Sequence, residues 1–171
     1  MSILDPIESR SLSSGLAQRT IKNLSFIQNA HENGEDVHVV MQVVNSLLGL
    51  LVFPIEKESG FFSSFDSVTL GYPPDFGALR NRLGNFPPLP SLTILQFGNC
   101  GTLGQFFKRV RNAIAHRRLE FSSESHDLDK VAIHLSDAKP KQPVDWEITL
   151  NAQDLLQLCL YIANEVVNRN L

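Results

Sequence analysis

Arg111, Asn112 and His116 are the residues whose types and spacing are best suited to chemistry. Imidazole titrates near neutrality and can take or give a proton. A guanidinium can grip two oxygens of a phosphate in a planar fork, and a carboxamide can donate and accept at once. Together these groups match a reaction at a phosphodiester. Each also has a plainer role. His116 can cap the last carbonyls of a helix, Arg111 can pair with a carboxylate on a neighbouring helix, and Asn112 can be ordinary helix surface. A bare Arg-to-His spacing of this kind turns up about once by chance in such a chain. Requiring Asn directly after Arg, on an amphipathic helix, lowers that to the order of a few per cent.

The local charge supports an anionic ligand. Lys108, Arg109, Arg111, Arg117 and Arg118 fall within eleven positions, and no carboxylate interrupts them before Glu120. The whole chain carries a net charge of −3 over 171 residues, which argues against a protein that coats nucleic acid nonspecifically. A basic patch on an acidic protein suits a discrete site. The alternative is a solvated helix end whose cations offset the negative end of the helix dipole.

The element that must position these residues is a helix over about Thr102 to Arg117. On a helical wheel, Leu103, Phe106, Phe107, Val110, Ala113 and Ile114 share one arc, whereas Lys108, Asn112 and His116 lie opposite with Arg109 beside them. Arg109 is seven residues before His116 and shares its face, while Arg111 sits about 140° away on an ideal helix. Which arginine is the main phosphate ligand therefore stays open on geometry.

The rest of the chain reads as scaffold. A first helix spans about Leu12 to Ala30, capped by Ser11 or Ser13. Asp36 caps a second through Val39 to Leu51 that Pro54 stops. Residues 56–90 form an irregular excursion whose aromatics pack back on the bundle. Residues 119–150 carry three strand-like runs, and a last helix covers about Ala152 to Asn168. The expected fold is mostly α: one domain over residues 1–171, a helical bundle with a small antiparallel sheet inserted before the C-terminal helix.

No stretch is apolar enough to span a membrane, and the N-terminus lacks the pattern of a signal peptide. Cys100 and Cys159 form no metal-type or redox-type pair, which suggests a reducing cytoplasm. His31, His38, His126 and His134 lack partners at ligand spacing. Asp127 and Asp129 make no recognisable metal site, Ser122 and Ser123 have no triad context, and no metal or other cofactor is expected.

Arg111-Asn112 followed by three small or apolar residues and His116 resembles the R-x4-H form of the HEPN family motif. Val43 to Pro54, Arg111 to Arg118, and strands followed by a final helix resemble a HEPN subfamily of bacterial and mobile-element proteins. The resemblance covers most of the chain and is weakest from Glu56 to Pro90. It implies an up-and-down helical bundle and metal-independent RNA cleavage at a composite site made from two motif copies across a homodimer interface. Arg111, Asn112 and His116 would be catalytic, and Lys108, Arg109, Arg117 and Arg118 would contact RNA. Products would be a 2′,3′-cyclic phosphate and a 5′-hydroxyl. The setting would be a toxin or phage-defence effector held in check by an antitoxin or regulatory protein. The alternative is a HEPN-like module that binds RNA, a nucleotide or a protein without cleaving.

Overall fold

Helix α1 (Ser9–Glu32) and helix α2 (Val39–Lys57) open the fold, and helix α6 (Ala152–Asn168) closes it. The computed structural model describes residues 9–57 and 60–169. The N-terminal octapeptide, in which no leader was expected, lies outside them. In α1, Ala17, Leu24 and Ala30 are buried, and α2 buries Val39, Val40, Val43, Val44, Leu47, Leu50 and Leu51. That wide apolar surface of α2 meets α1, α6 and helix α5 (Leu103–Ala115). Three boundaries differ from expectation. Helix α1 already runs from Ser9, so Ser11 and Ser13 lie within it and do not cap it. Residue 36 does not cap α2: the first helical bond, from the Gln42 N–H, goes to the carbonyl of His38. Nor does Pro54 stop α2, which runs three residues further. Proline removes only one helical donor, and a helix held on several sides can bear that loss.

The excursion after α2 is short helices and turns. Helix α3 (Gly60–Ser63) and helix α4 (Phe76–Leu83) are separated by turns, and Asp75 caps α4 through the Ala78 N–H at 2.8 Å. Its phenylalanines pack on the bundle as expected, but Tyr72 does not: it is 88 % exposed. Phe61 and Phe65 lie 6.4 and 5.3 Å from the Phe107 ring and 5.2 Å from each other, and Phe76 meets Phe106 edge-on at 5.1 Å. Gly104 is required at this junction, because a Cβ there would collide with the Phe62 carbonyl and the Asp66 carboxylate. The excursion is thus fastened to the first turn of α5.

Four antiparallel strands complete the fold: β1 (Thr93–Gln96), β2 (Leu119–Phe121), β3 (Ala132–Asp137) and β4 (Trp146–Asn151), in the order β1-β4-β3-β2. The last three were expected; β1 was not. Period-two alternation turns Ile133, Leu135 and Asp137 of β3 inward, as it does Trp146, Ile148 and Leu150 of β4. This inward face packs on α5. Ser91 ties the start of β1 to α6: its N–H and hydroxyl donate to Asp154 at 2.8 and 2.5 Å, while its oxygen accepts from the Asn151 N–H at 2.9 Å.

Candidate active site

Helix α5 is placed at both ends by its own sequence. Thr102 caps the start, its hydroxyl accepting from the Gln105 N–H at 3.2 Å. Leu103, Phe106, Phe107, Val110, Ala113 and Ile114 are buried, each larger side chain contributing about 1.5–3 kcal/mol of burial. The helix ends at Ala115 with His116 as C-cap. Arg117 then turns left-handed at φ 56°, its N–H reaching the Ile114 carbonyl at 3.1 Å, and the Arg118 N–H reaches the Ala113 carbonyl at 2.8 Å. These two bonds are a Schellman motif, with arginine where glycine is usual. The turn delivers the chain into β2.

The polar face of α5 forms one wall of an open cleft of about 470 Å³, and the β3–β4 connection forms the other. Lys108, Arg109, Asn112, His116 and Arg118 line it, together with Asp137 and Lys139. His116 is exposed, and its imidazole makes no hydrogen bond or ion pair among the described residues. Its backbone N–H, rather than its ring, bonds to the Asn112 carbonyl at 2.9 Å. No residue of the 60–90 excursion lines the cleft.

Beneath the cleft lies a network the sequence reading did not anticipate. Asp137, only 2 % exposed, accepts from Arg109 at 3.1 Å, from the Asn112 amide at 3.2 Å and from Arg118 at 3.3 Å. Asp145 grips Arg109 through both carboxylate oxygens at 2.8 and 2.9 Å. Burial opposes the Arg109 charge, but the hydrogen bonds and charges of Asp145 and Asp137 outweigh it and raise its pKa above the usual arginine value. Arg118 also donates to the Ala138 carbonyl at 3.1 Å. The alternation of β3 was the available signal, since it puts Asp137 on the face of Ile133 and Leu135, where a carboxylate needs partners. Gly98 lets Asp145 approach, because a Cβ there would lie 2.7 Å from the Asp145 carbonyl oxygen.

Arg111 is placed differently from its motif partners. It does not line the cleft; its guanidinium donates to the Asn112 carboxamide oxygen at 3.0 Å, and its Nε is buried without a partner. The helix stays intact between Arg111 and His116, so fraying does not bring the two together. Asn112 therefore sits between Arg111 and Asp137, accepting from one and donating to the other. Arg117 is exposed on the turn, outside the cleft lining. Cys100 lies buried beside this region with its thiol pushed up to about 12, by burial first and against the opposing charge of Arg109.

The other titratable clusters lie elsewhere. His31 approaches Asp127 and His126 approaches Asp36, each at 3.6 Å, so the α1–α2 turn is held to the β2–β3 connection. Among the described residues no group of three or more His, Cys, Asp or Glu side chains is placed to hold a metal ion. Among the same residues no helix is long and apolar enough to cross a membrane.

A mostly helical bundle with a small antiparallel sheet, and with Arg-Asn and His four residues apart at the end of one helix, is the architecture of a HEPN domain. The chain matches the HEPN pEK499 p136 family over residues 1–170 and belongs to it. No curated protein and no solved structure matches it significantly.

Proposed function

We propose that this protein is a metal-independent endoribonuclease whose site combines His116, Asn112 and Arg111 with a second copy of the chain. One observation carries the reading: an exposed imidazole without a partner stands at the lip of a cationic cleft, beside a carboxamide fixed on both sides. Membership of a HEPN family supports an RNA-directed role. In this reading one His116 takes the proton of a ribose 2′-hydroxyl as its oxygen attacks the adjacent phosphorus. The bond to the 5′-oxygen breaks, and a second His116, from the other copy, protonates that oxygen. The products are a 2′,3′-cyclic phosphate and a 5′-hydroxyl. Negative charge gathers on the equatorial phosphate oxygens, where a guanidinium fork stabilises it. Arg111 does not line its own cleft, so the reading gives it the phosphate held across the homodimer interface. Lys108 contacts the RNA backbone, with Arg117 at the rim. A toxin or phage-defence effector restrained by an antitoxin or regulatory protein in the cytoplasm is the setting that suits such an enzyme.

A second reading has one observation in its favour. The buried, unpartnered Nε of Arg111 and its position off the cleft suit a HEPN-like module that binds RNA without cleaving. The two separate cleanly. Purified protein is incubated with RNA in EDTA beside His116→Ala and Arg111→Ala. Cleavage by the wild type, reduced about 10²–10⁴-fold by loss of the imidazole and leaving 2′,3′-cyclic phosphate ends, is the expected result. Equal activity in all three proteins overturns the assignment. Binding without cleavage selects the second reading.

A further inference from the structure

We infer that Asp137 is a positioning residue for this site, fixing the Asn112 amide and withholding two arginines from the ligand. The inference rests on the nuclease reading only for its effect on turnover; its effect on affinity does not need it. The carboxylate is nearly sealed from solvent, and its backbone is held at the end of β3 opposite Trp146. Three donors converge on it: Arg109 and Asn112 from α5, and Arg118 from beyond the Schellman turn. Among the described residues, no other side chain hydrogen-bonds both the motif helix and the segment that follows its cap. One oxygen takes Arg109 and Asn112, and the other takes Arg118.

Two consequences follow. The Asn112 amide nitrogen is committed to Asp137, which turns its oxygen toward Arg111, so the motif's amide has one orientation instead of two. The Arg109 and Arg118 charges are offset by Asp137 and Asp145, two against two. The cations left to meet a polyanion are then the exposed Lys139 and the half-exposed Lys108, which lies 4.0 Å from Asp66 in a loose surface pair that a phosphate can displace. The cleft is lined by four basic side chains, yet both of its arginines are paired with carboxylates.

Asp137→Asn tests both consequences. A carboxamide offers one acceptor oxygen where the carboxylate offered two, and its NH₂ group must face either Arg118 or Asn112. Turnover on RNA is expected to fall at least about tenfold, because each lost charge-assisted bond is worth that much. Binding of a fluorescein-labelled 2′-O-methyl oligoribonucleotide, which cannot cyclise, is expected to tighten about threefold or more. Its salt dependence should steepen by about 0.7 as one freed guanidinium engages a phosphate. A merely structural residue would lower both quantities together with the folded fraction. If Asp137→Asn does not unfold cooperatively, D137N/R118Q removes the uncompensated cation with its partner. In that protein slow turnover with near-wild-type affinity supports the inference, and wild-type turnover overturns it. Should the wild type cleave nothing, the nuclease reading fails and the oligonucleotide arm still decides: tighter, more salt-sensitive binding supports the role of Asp137, and unchanged binding overturns it.

Discussion

Replacing Arg117 by glycine should make the protein more stable while weakening its hold on RNA. Arg117 occupies the left-handed position of the Schellman turn at φ 56°, a conformation that costs a residue with a Cβ about 1–2 kcal/mol. Its side chain is exposed and makes no hydrogen bond or ion pair among the described residues, so nothing folded is lost with it. Glycine widens the unfolded ensemble and gives back about 0.5–1 kcal/mol. The two motif bonds, from the Arg117 N–H to Ile114 and from the Arg118 N–H to Ala113, are backbone bonds and survive. The net gain is about 0.5–1 kcal/mol, or about 1–4 °C in Tm for a domain of this size. Urea titration and calorimetry measure it, with Arg117→Ala as the control. Alanine retains the Cβ and should stay within about 0.5 kcal/mol of wild type. A lower midpoint for Arg117→Gly would refute the reasoning, since it would mean that the side chain contributes more to folding than its backbone conformation costs. In the oligonucleotide assay the same variant should bind more weakly, and Arg117→Lys should not.

Gly104→Ala should destabilise by about 1–3 kcal/mol in urea, because the added carbon meets the Phe62 carbonyl and Asp66 and must push α3 away from α5. Gly98→Ala combines a 2.7 Å approach to the Asp145 carbonyl with a φ of 49°, and should cost at least as much while loosening the clamp on Arg109. Burial pushes the thiols of Cys100 and Cys159 up to about 12 from a usual value of 9.0. The folded state therefore keeps protons that the unfolded chain releases, so this contribution is present below about pH 9 and is lost as pH rises toward 12. A C100A/C159A variant should show a shallower fall in stability between pH 8 and 10.5; parallel curves would contradict it. Asp137→Ala removes a buried acceptor from Asn112 and Arg118 while Arg109 keeps Asp145, and should lower stability in urea by about 1–3 kcal/mol.

The scaffold was readable where one physical pattern dominates. The clean division of α5 into an aromatic-aliphatic arc and a basic arc survived folding intact, and the wheel correctly put Arg109, rather than Arg111, on the face of His116. The strand β1 escaped notice because its residues are mostly exposed and show no alternation, and it forms only by pairing with β4 across a bulge. The length of α2 was misread because local proline chemistry was weighed without the neighbours that hold the helix. For Asp137 and Asp145 the reason is different: alternation along β3 gives only the inward direction of Asp137, and their partner Arg109 lies 28 and 36 residues away along the chain, a meeting that no local pattern encodes.

Every side chain of the cleft comes from a single run between Asn99 and Pro140, whereas α1, α2 and α6 contribute none. A site written in so short a passage is inherited as a unit. The exposed face of α1 lines no part of the cleft and can change without altering it, whereas α5 and the hairpin opposite it can change only together.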